Sequence, residues 1–260
     1  MTKTKKISPT RRRYWFKFAF RLTVFIVGTL LCILKPEVLN LDVLKGMNFF
    51  KTFSPLHLLW AYWVFDMLSQ IFPINNKLAL GSRKHFAKNY QPTKTVNKEL
   101  LAKYMKKQNK KALIIMVVWC SFVAVGTTLY YTGIIDERVL LAEALFFYLS
   151  DLICVLIWCP FCLFMNNRCC SSCRIFNWDH FFMFSQIVFI GGFFSVSLFA
   201  LAMVVFIMWE ITLIRHPERF WEGTNCTLHC SNCTDRLSAR CLERRVKTKV
   251  SSHTMAQENK

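Results

Sequence analysis

Apolar residues come in blocks along this chain, and the charged ones fall between the blocks. A hydrocarbon core about 30 Å thick needs roughly 20 apolar residues in a helix that rises about 1.5 Å per residue. Blocks at 14–34, 55–72, 112–131, 139–164 and 181–209 match that requirement and predict five spans. The expected fold is therefore an all-α integral membrane protein, a bundle of about five transmembrane helices with a small Cys-rich tail, 215–260. The first block outruns a signal peptide and has no small-residue cleavage site after it, so it reads as a retained span.

Breaker residues set the boundaries. Lys35-Pro36 closes the first span and Pro73 the second, while the connector 35–54 carries an apolar patch (Val38, Leu39, Leu41, Val43, Leu44) suited to the membrane interface. Lys17 and Arg21 stand in the first turns of span one, where long side chains can snorkel to the headgroups. The fifth block is 29 residues long with Gly191-Gly192 part-way along. A single tilted helix is favoured over a re-entrant hairpin, because irregular backbone at membrane depth needs burial in protein or contact with water.

Composition supports this picture: 54% of residues are hydrophobic, with 25 Phe and 8 Trp. The formal charge of +19 is placed between the apolar blocks, so it predicts membrane topology and contact with anionic lipid headgroups of the bilayer, with no specific nucleic-acid binding. The stretch 77–111 holds eleven Lys or Arg against Glu99 alone. Basic residues also fill 1–13, and two spans separate the regions, so a cytoplasmic N-terminus and a cytoplasmic loop 73–111 agree with each other. The tail conflicts. Five spans put it outside, whereas its nine Lys or Arg argue for the cytoplasm, and the sequence leaves its side open.

Twelve cysteines fall into three groups. Cys32, Cys120 and Cys154 lie singly inside spans, as small packing residues do. The second group is Cys159, Cys162, Cys169, Cys170 and Cys173. Its two C-x₂-C pairs, Cys159/Cys162 and Cys170/Cys173, could offer four thiolates to a metal. C-P-F-C resembles the knuckles of zinc ribbons and rubredoxins, and W-C-P-F-C resembles the active-site tetrapeptide of thioredoxins and glutaredoxins, whose βαβ context is missing here. Membrane thiol oxidoreductases of the vitamin K epoxide reductase and DsbB families use C-x₂-C at a helix end, but near the extracytoplasmic face.

Cys226, Cys230, Cys233 and Cys241 make the third group, and T-N-C-T-L-H-C resembles the cluster motif of radical SAM enzymes. Only 27 residues follow Cys233, which leaves no room for that family's barrel. In the cytoplasm these four thiols would form a closed zinc or Fe–S site, and outside they would form two disulfides. His229 between them reads as a bystander. Asn225-Cys226-Thr227 and Asn232-Cys233-Thr234 match glycosylation sequons, which matter only in a secretory protein.

Ionisable groups at membrane depth are functional candidates by default. Asp66, Ser69 and Gln70 share one face of span two with Tyr62, and His57 is out of phase with Asp66. Glu143 and Asp151 in span four are too far apart for a carboxylate dyad but suit one pathway. At the entry to span five, Asn177 or Asp179 can cap the helix and negative Asp179 suits its dipole, which needs fewer assumptions than an Asp179–His180 pair completing a metal site. No hydrolase triad, phosphate loop or nucleotide fingerprint is present.

The runs N-R-C-C-S-S-C-R-I-F-N-W-D-H and H-P-E-R-F-W-E-G-T-N-C-T-L-H-C-S-N-C resemble cysteine-rich integral membrane proteins of anaerobic Gram-positive bacteria, a group without an assigned activity. The resemblance covers about the last hundred residues and implies a cell-membrane location but no mechanism. Three functional classes follow from the sequence. One is a membrane protein with one or two Cys-ligated Zn or Fe–S sites, the second a thiol–disulfide oxidoreductase using Cys159/Cys162, and the third a small transporter or non-enzymatic assembly factor.

Overall fold

The computed structural model describes residues 9–72, 85–93, 97–167 and 173–229. In chain order its helices are α1 (Pro9–Leu34), α2 (Pro36–Leu39), α3 (Leu56–Ile71), α4 (Lys98–Tyr131), α5 (Glu137–Leu156), α6 (Pro160–Met165), α7 (Asp179–Phe184) and α8 (Phe193–Arg215). Short 3₁₀ turns join several of them, and among the described residues there is no strand. Four helices, α1, α4, α5 and α8, are long and apolar enough to cross a membrane. Sixteen-residue α3 is about 24 Å long at 1.5 Å per residue, short of a full hydrocarbon core.

Local chemistry explains the helix ends. The Asn97 side chain accepts from the N–H groups of Glu99 and Leu100, and Asp136 does the same for Arg138 and Val139, so α4 and α5 each begin on a side-chain cap. Helix α4 starts in the basic region, roughly four turns before its apolar half.

Two expected spans are interrupted. The block 139–164 stops as a helix at Leu156, because Pro160 disfavours helical backbone at Cys159 and itself starts the new helix α6. The block 181–209 is not one tilted helix. It breaks after α7, continues as the 3₁₀ turn Ile187–Ile190, and turns at Gly191, whose φ of 77° is left-handed. A Cβ at Gly192 would sit 1.8 Å from the Leu44 carbonyl oxygen, so only glycine lets the connector approach this closely.

These breaks sort the loops into two layers at opposite ends of the bundle. One layer holds the connector 35–54, the α4–α5 turn and Gly191-Gly192. Lys45 pairs with Glu137 at 2.7 Å, Phe193 N–H donates to Gly46 O at 2.8 Å, and Tyr131 Oη donates to Phe189 O at 3.3 Å. Here His57 Nε2 donates to Phe49 O at 2.8 Å, well away from Asp66. Leu39, Leu41, Val43 and Leu44 of the apolar patch are buried while Val38 is exposed, and Phe49 beyond it packs on Phe193 at the start of α8.

The basic layer gathers 85–93, the first half of α4, the described parts of the cysteine loop (166–167 and 173–178) and residues 216–229. Thr93 N–H donates to Thr224 O at 3.2 Å, Cys226 N–H donates to Gln91 O at 2.8 Å, and Tyr104 stacks on Trp221 with ring centroids 5.2 Å apart. Tyr104 Oη also donates to Asn167, which ties the tail to the cysteine loop.

Between the layers α1 lies on α5, where a Cβ at Gly28 would meet Leu145 Cδ1 at 2.7 Å. Trp63, Tyr148, Phe184, Phe194 and Trp209 fill the central core. A second core near the basic layer surrounds Cys159, Cys162, Cys173 and Trp178.

Candidate functional site

Four helices bring charge together inside this bundle. Arg21 of α1 is only 6% exposed, although its position near the span end predicted a snorkelling side chain. Its Nη1 donates to Asp151 Oδ2 at 2.8 Å and to the Tyr148 carbonyl at 2.8 Å, and its Nη2 lies 3.5 Å from Asp66 Oδ2. The guanidinium carbon stands 4.1 Å from the centre of the Tyr148 ring. Helix period explains the convergence: Tyr148 and Asp151 are three residues apart on the face of α5 that meets α1.

Asp66 and Gln70 face α7 from α3, on the shared face that their i, i+4 spacing predicted. His180, 4% exposed, presents a carboxylate to each ring nitrogen, with Asp66 Oδ2 at 3.4 Å from Nε2 and Asp179 Oδ1 at 3.0 Å from Nδ1. Gln70 Nε2 donates to Asp179 Oδ2 at 3.4 Å and lies 3.2 Å from His180 Nδ1. Asn177 or Asp179 was expected as a helix cap, with Asp179 suiting the dipole. Asp179 does stand in the first turn of α7, but Trp178 holds the cap position and the Asp179 carboxylate turns toward His180 and Gln70. At most two cationic groups, Arg21 and His180, meet the carboxylates of Asp66, Asp151 and Asp179 in this hydrogen-bonded set. With its carboxylates ionised the set therefore retains negative charge.

A cavity of about 70 Å³ adjoins the cluster, and Asp151 and Asp179 line it together with Ser150, Cys154, Cys159 and Cys173. On the other side Tyr62 and Tyr148 close the cluster off, and behind them an apolar cavity of about 420 Å³ lies between α1, α3 and α5. Glu143 does not reach the cluster. It sits two turns nearer the opposite layer, with Oε1 buried and without a hydrogen bond in the described structure, so Asp151 and Glu143 do not share this site.

The cysteine loop forms the floor. Cys159 caps α6 and accepts the Cys162 N–H at 3.4 Å. Cys173 is buried, and a hydrogen bond from Cys162 holds its thiol below the ordinary thiol range against the opposing effect of burial. Nearby, Arg174 pairs with Glu210 of α8, whose Oε1 also accepts from Trp178 Nε1 at 2.8 Å.

Among the described residues no three His, Cys, Asp or Glu side chains form a ready metal-binding group. Cys159, Cys162 and Cys173 of the expected first metal set are gathered. Cys170 of that set, and Cys230, Cys233 and Cys241 of the second, lie outside the described residues. Cys226 is held by the 85–93 loop, and His229 Nε2 donates to Glu222 O at 2.7 Å.

Sequence reasoning missed Arg21 and Glu210 as interior groups. Both carry a signal, since each is a charge inside an apolar run with an opposite charge available on another element. No protein-family model, curated protein or solved structure matches this chain.

Proposed function

We propose that this chain is a small multi-pass membrane carrier that moves a cation through the Arg21–Asp66–Asp151–Asp179–His180 cluster. The observation that carries the reading is the convergence of three carboxylates on one Arg and one His in the bundle interior. Ionisable groups at membrane depth are costly and mark ion pathways and proton relays. Two features of the fold support it. Segment 179–190 is broken into short helical pieces beside the cluster, as in carriers whose discontinuous helices form the binding site. The cavity lined by Asp151 and Asp179 opens the cluster toward the cysteine loop, while Tyr62 and Tyr148 close the opposite route.

In this reading the basic layer faces the cytoplasm of a cell membrane, because 85–93, the basic half of α4 and residues 216–229 lie together and the positive-inside rule keeps such basic residues inside. Segment 179–190 then carries the chain from the basic layer to the connector layer and α8 brings it back, so both termini are cytoplasmic. The tail cysteines accordingly remain thiols or metal ligands rather than disulfides.

The test is cation flux in proteoliposomes, driven by an imposed ion gradient and read with a potential-sensitive dye that reports net charge movement whichever cation carries it. Asp151→Asn keeps the side-chain volume but removes one charge from the cavity wall, and flux is expected to fall by tenfold or more, on the order of one lost transition-state interaction. Wild-type flux equal to that of empty liposomes would overturn the proposal.

A further inference from the structure

We infer that the apolar cavity between α1, α3 and α5 is a groove for one acyl chain of a bilayer phospholipid whose headgroup sits at the connector layer. Helix α1 lies on α5 and α3 lies on α8, so α1 and α3 splay apart and leave a gap. Leu141, Leu145 and Tyr148 form its buried floor, and Phe20, Val27 and Leu58 form an exposed rim. Both α1 and α5 are long and apolar enough to cross a membrane, so that rim opens sideways onto lipid.

Size selects the occupant. From Phe20 to Leu31 the groove follows α1 for about 16 Å at 1.5 Å per residue, close to one leaflet of a hydrocarbon core about 30 Å thick. Its volume of about 420 Å³ spread over that length leaves a channel about 5 Å across. Carbon atoms pack at about 3.5–4.0 Å, so one extended methylene chain fits, whereas a helix about 10–12 Å across with its side chains does not.

The lining is unsuited to water. A buried water takes about two to four polar partners, but apart from Thr23 and two tyrosines the walls are apolar, and the Thr23 hydroxyl donates to Ala19 O of its own helix at 3.0 Å. Close-packed interiors leave few voids larger than a water molecule, so the surrounding lipid fills this one.

The two ends differ, and that sets the direction of the chain. At the deep end Tyr62 and Tyr148 stand edge to face over the charged cluster, with ring centroids 6.1 Å apart. A headgroup there would lie at membrane depth, where charge is costly. At the other end the groove passes Leu31, Leu39 and Pro55 to the connector, where Lys35 and Lys51 are exposed and suit a lipid phosphate. The chain tip therefore rests on the tyrosines, and the lipid's second chain stays in the bilayer beyond the rim.

The experiment uses the full chain in nanodiscs of phosphatidylethanolamine and phosphatidylglycerol, with two photoactivatable phosphatidylglycerols that carry a diazirine either at the chain end or beside the ester. The chain-end probe should label the floor residues Leu145 and Tyr148, which lipid around the bundle does not reach. The ester-side probe should instead label Leu31, Leu39 or Leu56 at the mouth. Val24→Trp, which fills the groove, and Val27→Trp, which blocks its rim, should each lose the floor labelling and keep that of exposed Val118 on α4. Labelling of Val118 without labelling of the floor in the parent would overturn the inference, as would the same pattern from both probes. Excess free palmitate should leave the floor labelling unchanged. Its loss would give the groove to a free fatty acid and overturn the phospholipid. The groove does not rest on cation carriage, because labelling and flux are separate readouts.

Discussion

Arg21 is the residue on which the interior depends, because it joins α1 to both Asp151 and Asp66. Removing one partner of a buried ion pair leaves the other charge uncompensated and destabilises by roughly 3–5 kcal/mol, while replacing both partners is far milder. Arg21→Met should therefore lower the thermal midpoint in detergent sharply, and adding Asp151→Asn should recover part of the loss. An Arg21→Met protein as stable as wild type would show that the pairing contributes nothing. At this scale the sequence was partly readable. Asp66, Gln70 and Asp151 stood out as polar groups in apolar runs, and helix period put Asp66 and Gln70 on one face. Arg21 did not, because the snorkelling rule considers distance to the headgroups and not the carboxylates that other helices bring near. Asp179 was read mainly as a capping residue for a related reason: its partner Gln70 meets it only once α3 and α7 have packed.

Among the elements, close backbone approach decides where helices can lie. Gly28 lets α1 reach Leu145 of α5, and Gly28→Val should cost about 1–3 kcal/mol through overpacking, measured by thermal unfolding. Gly192→Val should be worse than the same change at Gly28, since it meets the fixed Leu44 carbonyl rather than a side chain that can rotate. Equal midpoints for the two variants would contradict the packing of connector 35–54 on the start of α8. Asn97→Ala tests a smaller effect, the loss of about 1 kcal/mol from the α4 cap. The helical character of the apolar blocks was legible from length and hydropathy, and so was the outer boundary of the second block. The interruptions were legible only as punctuation. Gly191-Gly192 and Cys159-Pro160 mark places where a helix can stop, but whether it does depends on partners distant in sequence. Leu44 and Gly46 receive the turn at one break, and Met165 and Phe164 receive Gln108 and Lys111 beyond the other.

For the molecule as a whole, the break in the fifth block bears on a conflict that charge counting left open. Five uninterrupted spans put the tail opposite the basic loop, yet residues 216–229 pack on 85–93 and on Tyr104. A membrane-impermeant maleimide should therefore label Cys226 in inverted vesicles and not in intact cells, using a variant whose other cysteines are Ser. Labelling in intact cells would overturn the cytoplasmic assignment of the tail. The central claim is that the interior cluster, rather than any carboxylate at membrane depth, carries the cation. Cation flux in proteoliposomes of Asp179→Asn beside Glu143→Gln tests it most directly, because Asp179 lines the cavity and Glu143 lies outside it. The account predicts that Asp179→Asn loses flux by tenfold or more while Glu143→Gln retains it. Flux preserved in Asp179→Asn and lost in Glu143→Gln would contradict it.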